Sequence, residues 1–271
     1  NFGSTGEDDL DVYEDDAAVG SGPSVDSDED RVVLPGGEAL DAAGVDQFLR
    51  WRPATFVSIV GDKDSGKSTL ICALYDRLLR GSFAALGFAG SRTLVALERR
   101  LHYSRVDSGR ASPDTPRTSL SEGLHYFHFA LAPANGPPAR VDILLSDRAG
   151  EVYRQARGNS RVIASLSEIP QADRLVLLLD GRRAGNAIER ADSMQSVRQT
   201  LRAFLDNDAL SATSIVQVVT TKVDLIDACE DAKDVVNALQ TFQERLVRDF
   251  GPRLRELTFW KIAARDPTGH F

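Results

Sequence analysis

Thr55-Phe56-Val57-Ser58-Ile59-Val60-Gly61-Asp62-Lys63-Asp64-Ser65-Gly66-Lys67-Ser68-Thr69 begins apolar and β-branched and ends polar. Its first six residues predict a buried strand. Gly61 to Ser68 fit the pattern GxxxxGK[ST], and Leu70, Ile71, Leu74 and Leu78 then line one side of an expected helix that stops near Gly81. Strand, glycine-bearing loop and helix in that order make a cradle for phosphate. Glycine lets the loop turn tightly, so that successive N–H groups converge on an anion, and the helix N-terminus adds the positive end of its dipole. Gly61, Asp62, Lys63, Asp64, Ser65, Gly66, Lys67, Ser68 and Thr69 are therefore candidate phosphate-binding residues. Lys67 is expected to reach β- and γ-phosphates, and the Ser68 hydroxyl to ligate Mg²⁺.

Further along, the apolar run 140–146 ends in Asp147-Arg148-Ala149-Gly150-Glu151, a DxxG motif. An Asp at the end of a buried strand can hold a Mg²⁺-bound water, and Gly150 can offer its N–H to a γ-phosphate. The run Ile215 to Thr220 leads into Thr221-Lys222-Val223-Asp224. A carboxylate has only acceptors, and guanine presents two adjacent donors, N1–H and the 2-amino group, so Asp224 can accept both. Adenine lacks that pair and would leave the carboxylate unmatched, which makes the element discriminating. The stem of Lys222 is expected to lie along the base. The bland alternative for these four residues is a strand-to-helix turn with Asp as cap. The last apolar run, 257–262, ends Ile262-Ala263-Ala264-Arg265, which resembles in position the SAK-type loop of GTPases with Ala and Arg for its Ser and Lys; the resemblance implies a backbone N–H of Ala263 or Ala264 on guanine O6. The expected ligands are GTP and GDP, with Mg²⁺ as cofactor.

Around these motifs the chain reads as an α/β protein with a mostly parallel sheet covered on both faces. Strands are expected at 124–131, 140–146, 174–180, 215–220 and 257–262, the first two joined as one antiparallel hairpin across Pro133-Ala134-Asn135-Gly136-Pro137-Pro138. Helices are expected through Met194, Val197, Leu201 and Leu205, and through Val235, Leu239, Phe242, Leu246 and Phe250. Ligands of such sheets bind beyond the carboxyl ends of the strands, where the motifs fall. Residues 82–123 form a long insert, with Ser91 expected to cap a helix bearing Leu94, Leu97 and Leu101 on one face, followed by a loop from Ser108 to Thr118. His125 and His128 lie on a strand read as half-exposed and are expected to be surface or satisfied core residues, not metal ligands.

The order GxxxxGKS, DxxG, TKVD, IAAR resembles the translation-factor-related (TRAFAC) class of P-loop GTPases over residues 55–265. Lys67 and Asp147 lie 80 residues apart, about twice the spacing of a minimal small GTPase, so the switch I region is expanded. Phe88 to Leu94, Leu97-Glu98-Arg99-Arg100, Ser108-Gly109-Arg110 and Pro113 to Thr118 resemble the bacterial double-GTPase (DO-GTPase) family. The resemblance implies a G domain that switches between GTP and GDP within a multi-component bacterial system of signalling or conflict, with protein partners. It also implies a switch I Thr on Mg²⁺: Thr118 is nearest the next strand, and Thr115 is the second choice. Arg110 and Arg117 flank that Thr, and either could neutralise charge on a γ-phosphate in cis or be a solvated loop arginine. Glu151 stands where many relatives carry Gln; it could position water but brings negative charge, so slow or partner-dependent hydrolysis is expected. A non-hydrolysing GTP-binding scaffold is the alternative, and an ATP-dependent enzyme a weaker one.

Charge is uneven along the 271 residues. Residues 1–30 hold eleven Asp or Glu and no Lys or Arg, and the rest carries 32 basic against 29 acidic side chains, so a net −8 conceals a body near +3. The acidic segment has too little apolar surface to offset its ordering entropy and reads as a disordered tail, or as an electrostatic docking arm. Residues 31–54 form a lead-in, in which Leu40, Val45, Phe48, Leu49 and Trp51 suggest a short helix beside the first strand, ended by Pro53. The arginines are scattered and predict no nucleic-acid surface. Cys72 and Cys229 fall in helical stretches, which suits a reducing cytoplasm, and neither a membrane span nor a signal peptide is read. Six residues follow Arg265, too few for a closing helix, so the sequence reads as a piece of a longer chain.

Overall fold

Seven strands and nine helices build around the 55–60 run in a computed structural model that describes residues 36–104, 118–135 and 139–264. In chain order they are α1 (Ala42–Leu49), β1 (Thr55–Val60), α2 (Lys67–Leu79), β2 (Leu86–Gly90), α3 (Leu94–Ser104), β3 (His125–Pro133), β4 (Val141–Asp147), α4 (Gly150–Ala156), α5 (Ser160–Ala164), β5 (Arg174–Asp180), α6 (Gly181–Gly185), α7 (Arg190–Asp206), β6 (Ile215–Thr221), α8 (Val223–Asp227), α9 (Ala232–Phe250) and β7 (Glu256–Lys261). The sheet order is β2-β3-β4-β1-β5-β6-β7. From β4 to β7 every neighbouring pair is parallel, whereas β3 runs antiparallel to β4 and β2 antiparallel to β3.

The apolar runs of β1, β5 and β6 are near-continuous because helices cover both faces, so residues of both parities are buried. Val60, Leu175, Leu177, Leu179, Val216 and Val218 face a core filled by Leu201 and Phe204 of α7 and Leu239 and Leu246 of α9. Their neighbours Ile59, Val176, Leu178 and Val219 face the opposite core, with Ile71 and Tyr75 of α2, Leu97 of α3, and Phe127 and Phe129. A smaller cluster seats α1, where Val45 and Phe48 meet Tyr126 and Leu144, with Phe56 at its edge. Asp41 opens that helix by accepting from the Gly44 N–H at 2.8 Å. Trp51, which the lead-in reading counted with this apolar set, is exposed and lies under the Arg92 guanidinium at 5.2 Å.

Three local readings change. First, the insert contains an edge strand, β2, making a second antiparallel pairing. Its sequence Leu-Gly-Phe-Ala-Gly has little β propensity, and backbone pairing to β3 holds it, with an irregularity between Phe88 and Gly90. Second, Ser91 does not sit directly at the helix start. It accepts from the Thr93 N–H (2.8 Å) and donates to the His128 carbonyl (2.6 Å), while α3 begins at Leu94. Leu94 is exposed; Ala96, Leu97 and Leu101 form the buried stripe. Third, β3 is buried through most of its length. The helix after Gly66 ends as expected, with Gly81 at φ +134° just past it.

Burial of β3 leaves His128 only 1% exposed, its ring tilted 48° against Phe48 at 4.7 Å and partnered on both nitrogens. Its Nδ1 accepts from the Arg92 N–H at 2.9 Å, so the neutral ring carries its proton on Nε2, which donates to Asp142 Oδ1 at 2.9 Å. Arg140 grips the same carboxylate at 2.7 and 2.9 Å. Burial holds the His128 pKa below its ordinary value, although the Asp142 hydrogen bond and charge oppose it. Burial pushes Asp142 upward, but Arg140 and His128 outweigh it and keep the carboxyl below its usual range. Among the described residues no helix is long and apolar enough to cross a membrane.

Candidate nucleotide site

The loop after β1 closes on itself through Lys67, whose ammonium donates to the Gly61 and Asp62 carbonyls, both at 2.9 Å. Asp64 and Gly66 take the left-handed backbone, φ +61° and +97°, which turns the loop into α2. The DxxG segment lies against this loop. A Cβ on Gly150 would stand 2.4 Å from the Asp62 carbonyl carbon and the Lys63 nitrogen, so only glycine allows the two backbones to meet here.

At the same end of β4, Asp147 is fully buried and ringed by hydroxyls. Thr118 Oγ1 donates to Asp147 Oδ2 at 2.7 Å, Ser68 Oγ lies 3.2 Å from the same oxygen, and the two hydroxyls are 3.2 Å apart. The three residues that the sequence offers for Mg²⁺ thus lie together. Two hydroxyls and a carboxylate are hard oxygen donors, and Mg²⁺ takes few protein ligands beside phosphate and water, so the set fits that ion. Among the described residues no group of three or more His, Cys, Asp or Glu could hold a metal by itself.

The other end of the site is tied directly to the phosphate loop. Thr221 Oγ1 donates to the Ser65 carbonyl (2.9 Å), and Lys222 Nζ to the Asp64 carbonyl (2.6 Å) while pairing with Asp180 at 3.1 Å. Lys222 is held at φ +52°, and Asp224 falls in the first turn of the five-residue α8. The Val223 N–H donates to the Ile262 carbonyl at 3.2 Å, which brings in the chain after β7. A cavity of about 580 Å³ runs between the two ends. Its walls include Lys63, Asp64, residues 66–70, Thr118, Gly150, Thr221, Lys222, Asp224, Ile262 and Ala264. A larger open cleft of about 790 Å³ at the amino ends of the strands holds none of these motif residues.

Residues 55–270 match the family described as Double-GTPase 2. The chain belongs to that family. With its seven-stranded, mostly parallel sheet and these loops at the carboxyl ends, the Double-GTPase 2 chain has the fold of a P-loop GTPase G domain. It is similar to translation elongation factor SelB from Methanococcus maripaludis, in complex with the GTP analogue GppNHp, at 14% identity and a TM-score of 0.39, covering 78% of this chain and 30% of that one. It is also similar to the signal recognition particle receptor SRb-GTP/SRX complex from Chaetomium thermophilum (12%, TM-score 0.42, 80% and 93%) and to the Ski7 GTPase-like domain of S. cerevisiae bound to GDP and inorganic phosphate (15%, 0.39, 80% and 45%). It thus spans less than half the length of the SelB and Ski7 chains. No curated protein matches it.

Several predicted residues of this Double-GTPase 2 chain are not on the cavity wall. Gly61, Asp62, Ser65, Asp147, Glu151 and Ala263 do not line it. The Asp62 carboxylate instead turns to an ion pair with Arg157 and accepts from Ser196 Oγ at 2.5 Å, fixing the loop to α4 and α7. Thr115, Arg110, Arg117 and Arg265 lie outside the described residues. Two arginines that sequence reasoning passed over do line the cavity, Arg148 and Arg182. Arg148 sits inside DxxG, and Arg182 follows the carboxyl end of β5, so position alone could have flagged both. Arg148 is gripped by the buried Glu168 at 2.7 and 3.0 Å, and Glu168 also accepts from the Tyr153 hydroxyl at 3.2 Å. Burial, reinforced by the Glu168 charge, raises the Tyr153 pKa well above its ordinary value, so it remains a donor.

Proposed function

We propose that this chain binds guanine nucleotide with Mg²⁺ and hydrolyses GTP to GDP as a molecular switch. The observation that carries the reading is one cavity lined at one end by Lys67, Ser68 and Thr118 and at the other by Asp224. Lys67 and the 61–69 backbone hold the phosphates, Gly150 meets the γ-phosphate, and Asp224 accepts from guanine N1–H and the 2-amino group, with Thr221, Lys222 and the 263–264 backbone beside the base. Ser68, Thr118 and, through water, Asp147 would hold Mg²⁺, which neutralises charge on the β- and γ-phosphate oxygens. Glu151 orients the attacking water, and Arg110 or Arg117 supplies a cation in cis. Turnover by the isolated chain is slow, about 10⁻⁴ to 10⁻² s⁻¹, and a protein partner of a bacterial multi-component GTPase system accelerates it.

Calorimetric titration with GTP, GDP and ATP tests the reading. Tight guanine binding and at least about tenfold weaker ATP is expected, and Lys67→Ala should weaken GTP by a few kcal/mol, about a hundredfold. Equal affinity for ATP would reject the base assignment, and an unchanged Lys67→Ala affinity the phosphate assignment. A carboxylate at Glu151, where many relatives carry Gln, favours a second reading, a GTP-binding scaffold without hydrolysis, which single-turnover measurement separates from the first.

A further inference from the structure

Arg100, on the insert helix α3, reaches into the hydroxyl–carboxylate cluster from behind the cavity. Its guanidinium forms an ion pair with Asp147 and lies 3.4 Å from Thr118 Oγ1. A second nitrogen stands 3.6 Å from Glu122, and the group stacks over the Phe127 ring at 4.6 Å. The side chain is 15% exposed, so it has little room to leave without α3 adjusting. The helix in turn is fastened elsewhere. Arg99 grips Glu38 at 2.6 and 3.0 Å, the Ala96 N–H donates to the Gly37 carbonyl at 3.0 Å, and the Tyr75 hydroxyl donates to Glu98 at 2.5 Å.

We propose that Arg100 is a built-in counter-ion of Asp147 that exchanges with the divalent cation, so that loading the site moves its guanidinium from Asp147 to Glu122. The inference rests on the Mg²⁺ reading above. Asp147 is buried and needs a cation, and the same carboxylate oxygen that takes the guanidinium also accepts from Thr118. A divalent ion at Ser68, Thr118 and Asp147 and a guanidinium on that oxygen repel each other across one carboxylate. Binding one therefore weakens the other by the same factor. Glu122 is the waiting partner: it already pairs with Arg100 at the rim, and its carboxylate can keep the guanidinium once Asp147 lets go.

The experiment measures GDP affinity by fluorescence titration across a Mg²⁺ series, in wild type, Arg100→Gln and Glu122→Gln, each checked by a melting scan. Removing the competing cation should lower the half-saturating Mg²⁺ of Arg100→Gln by about tenfold. Glu122→Gln, which changes an exposed rim carboxylate, should shift it the other way by about twofold, because Arg100 then has Asp147 alone. Equal Mg²⁺ dependence in the three proteins overturns the exchange while leaving the metal reading intact. So does a higher Mg²⁺ requirement in Arg100→Gln, since Arg100 would then be supporting the site. If Arg100→Gln does not fold, the Glu122→Gln shift decides by its sign. Affinity independent of Mg²⁺ in every protein overturns the metal reading and the exchange with it.

Discussion

Strand β4 carries a buried carboxylate at each end, and the two are built differently. Asp142, at its amino end, is held by Arg140 and by a neutral His128 whose other nitrogen is also committed to a backbone N–H. Asp147, at its carboxyl end, is met by the hydroxyls of Ser68 and Thr118 and by one guanidinium from an inserted helix. The first arrangement is complete without any visitor. The second is made of two hydroxyls that line the motif-bearing cavity and of a guanidinium shared with Glu122. A buried charge identifies a function only when its partners can be exchanged; where they are locked, it identifies a joint.

The largest effect should come from breaking the locked end. Asp142→Ala strands the His128 N–H and the Arg140 guanidinium and is expected to cost about 3 kcal/mol of stability, whereas Asp147→Asn should cost about 1 kcal/mol yet abolish the Mg²⁺ dependence of nucleotide binding. Denaturant melts of the two variants, with titrations on whichever folds, test the contrast, and equal destabilisation would erase it. Next in size is Asp224→Asn, which leaves both ends of β4 intact and exchanges one acceptor for a donor. The preference for GTP over xanthosine triphosphate should move by at least about tenfold in competitive binding, and an unchanged ranking in the folded variant would remove Asp224 from the base.

The smallest effect is a pH dependence belonging to the locked end. The folded His128 pKa lies below its unfolded value near 6.5, so above that pH the ring is neutral in both states and its contribution is whole. As pH falls through 6.5 the unfolded chain takes up the proton and the folded chain does not, so stability declines towards the lower folded value. As pH falls below 6.5, wild type should lose stability relative to His128→Gln in denaturant melts. Asp142, also depressed, contributes its own loss only below the ordinary carboxylate range. Parallel stability curves for the two proteins would show that His128 is not held neutral.

What was legible in the sequence follows the same division. Residues 55–69 and the motifs at 147–150 and 221–224 were readable because backbone geometry at a strand end constrains them locally. The apolar stripes of α7 and α9 were readable because helix burial imposes a period. Arg100 was not, since its partner is 47 positions away and nothing in Leu-Glu-Arg-Arg distinguishes the arginine that grips Glu38 from the one that grips Asp147. Strand β2 was hidden for a related reason: its five residues acquire their conformation from β3 and not from themselves. Thr118, the threonine nearest the next strand, lies beside Ser68 and Asp147, while Thr115 falls outside the described residues.

The bonds from Thr221 and Lys222 to the Ser65 and Asp64 carbonyls have a metrical consequence. They tie the 61–69 loop to the turn that bears Asp224 by two side-chain donors on main-chain acceptors, so the span between them is held by Thr221 and Lys222 and is lost with those side chains. The cavity thereby contains its own gauge. On the nucleotide reading proposed above, a ligand seated by its phosphates at Lys67 would reach Asp224 only with a matching length of sugar and base, so Thr221 and Lys222 would select by size as well as by hydrogen bonds.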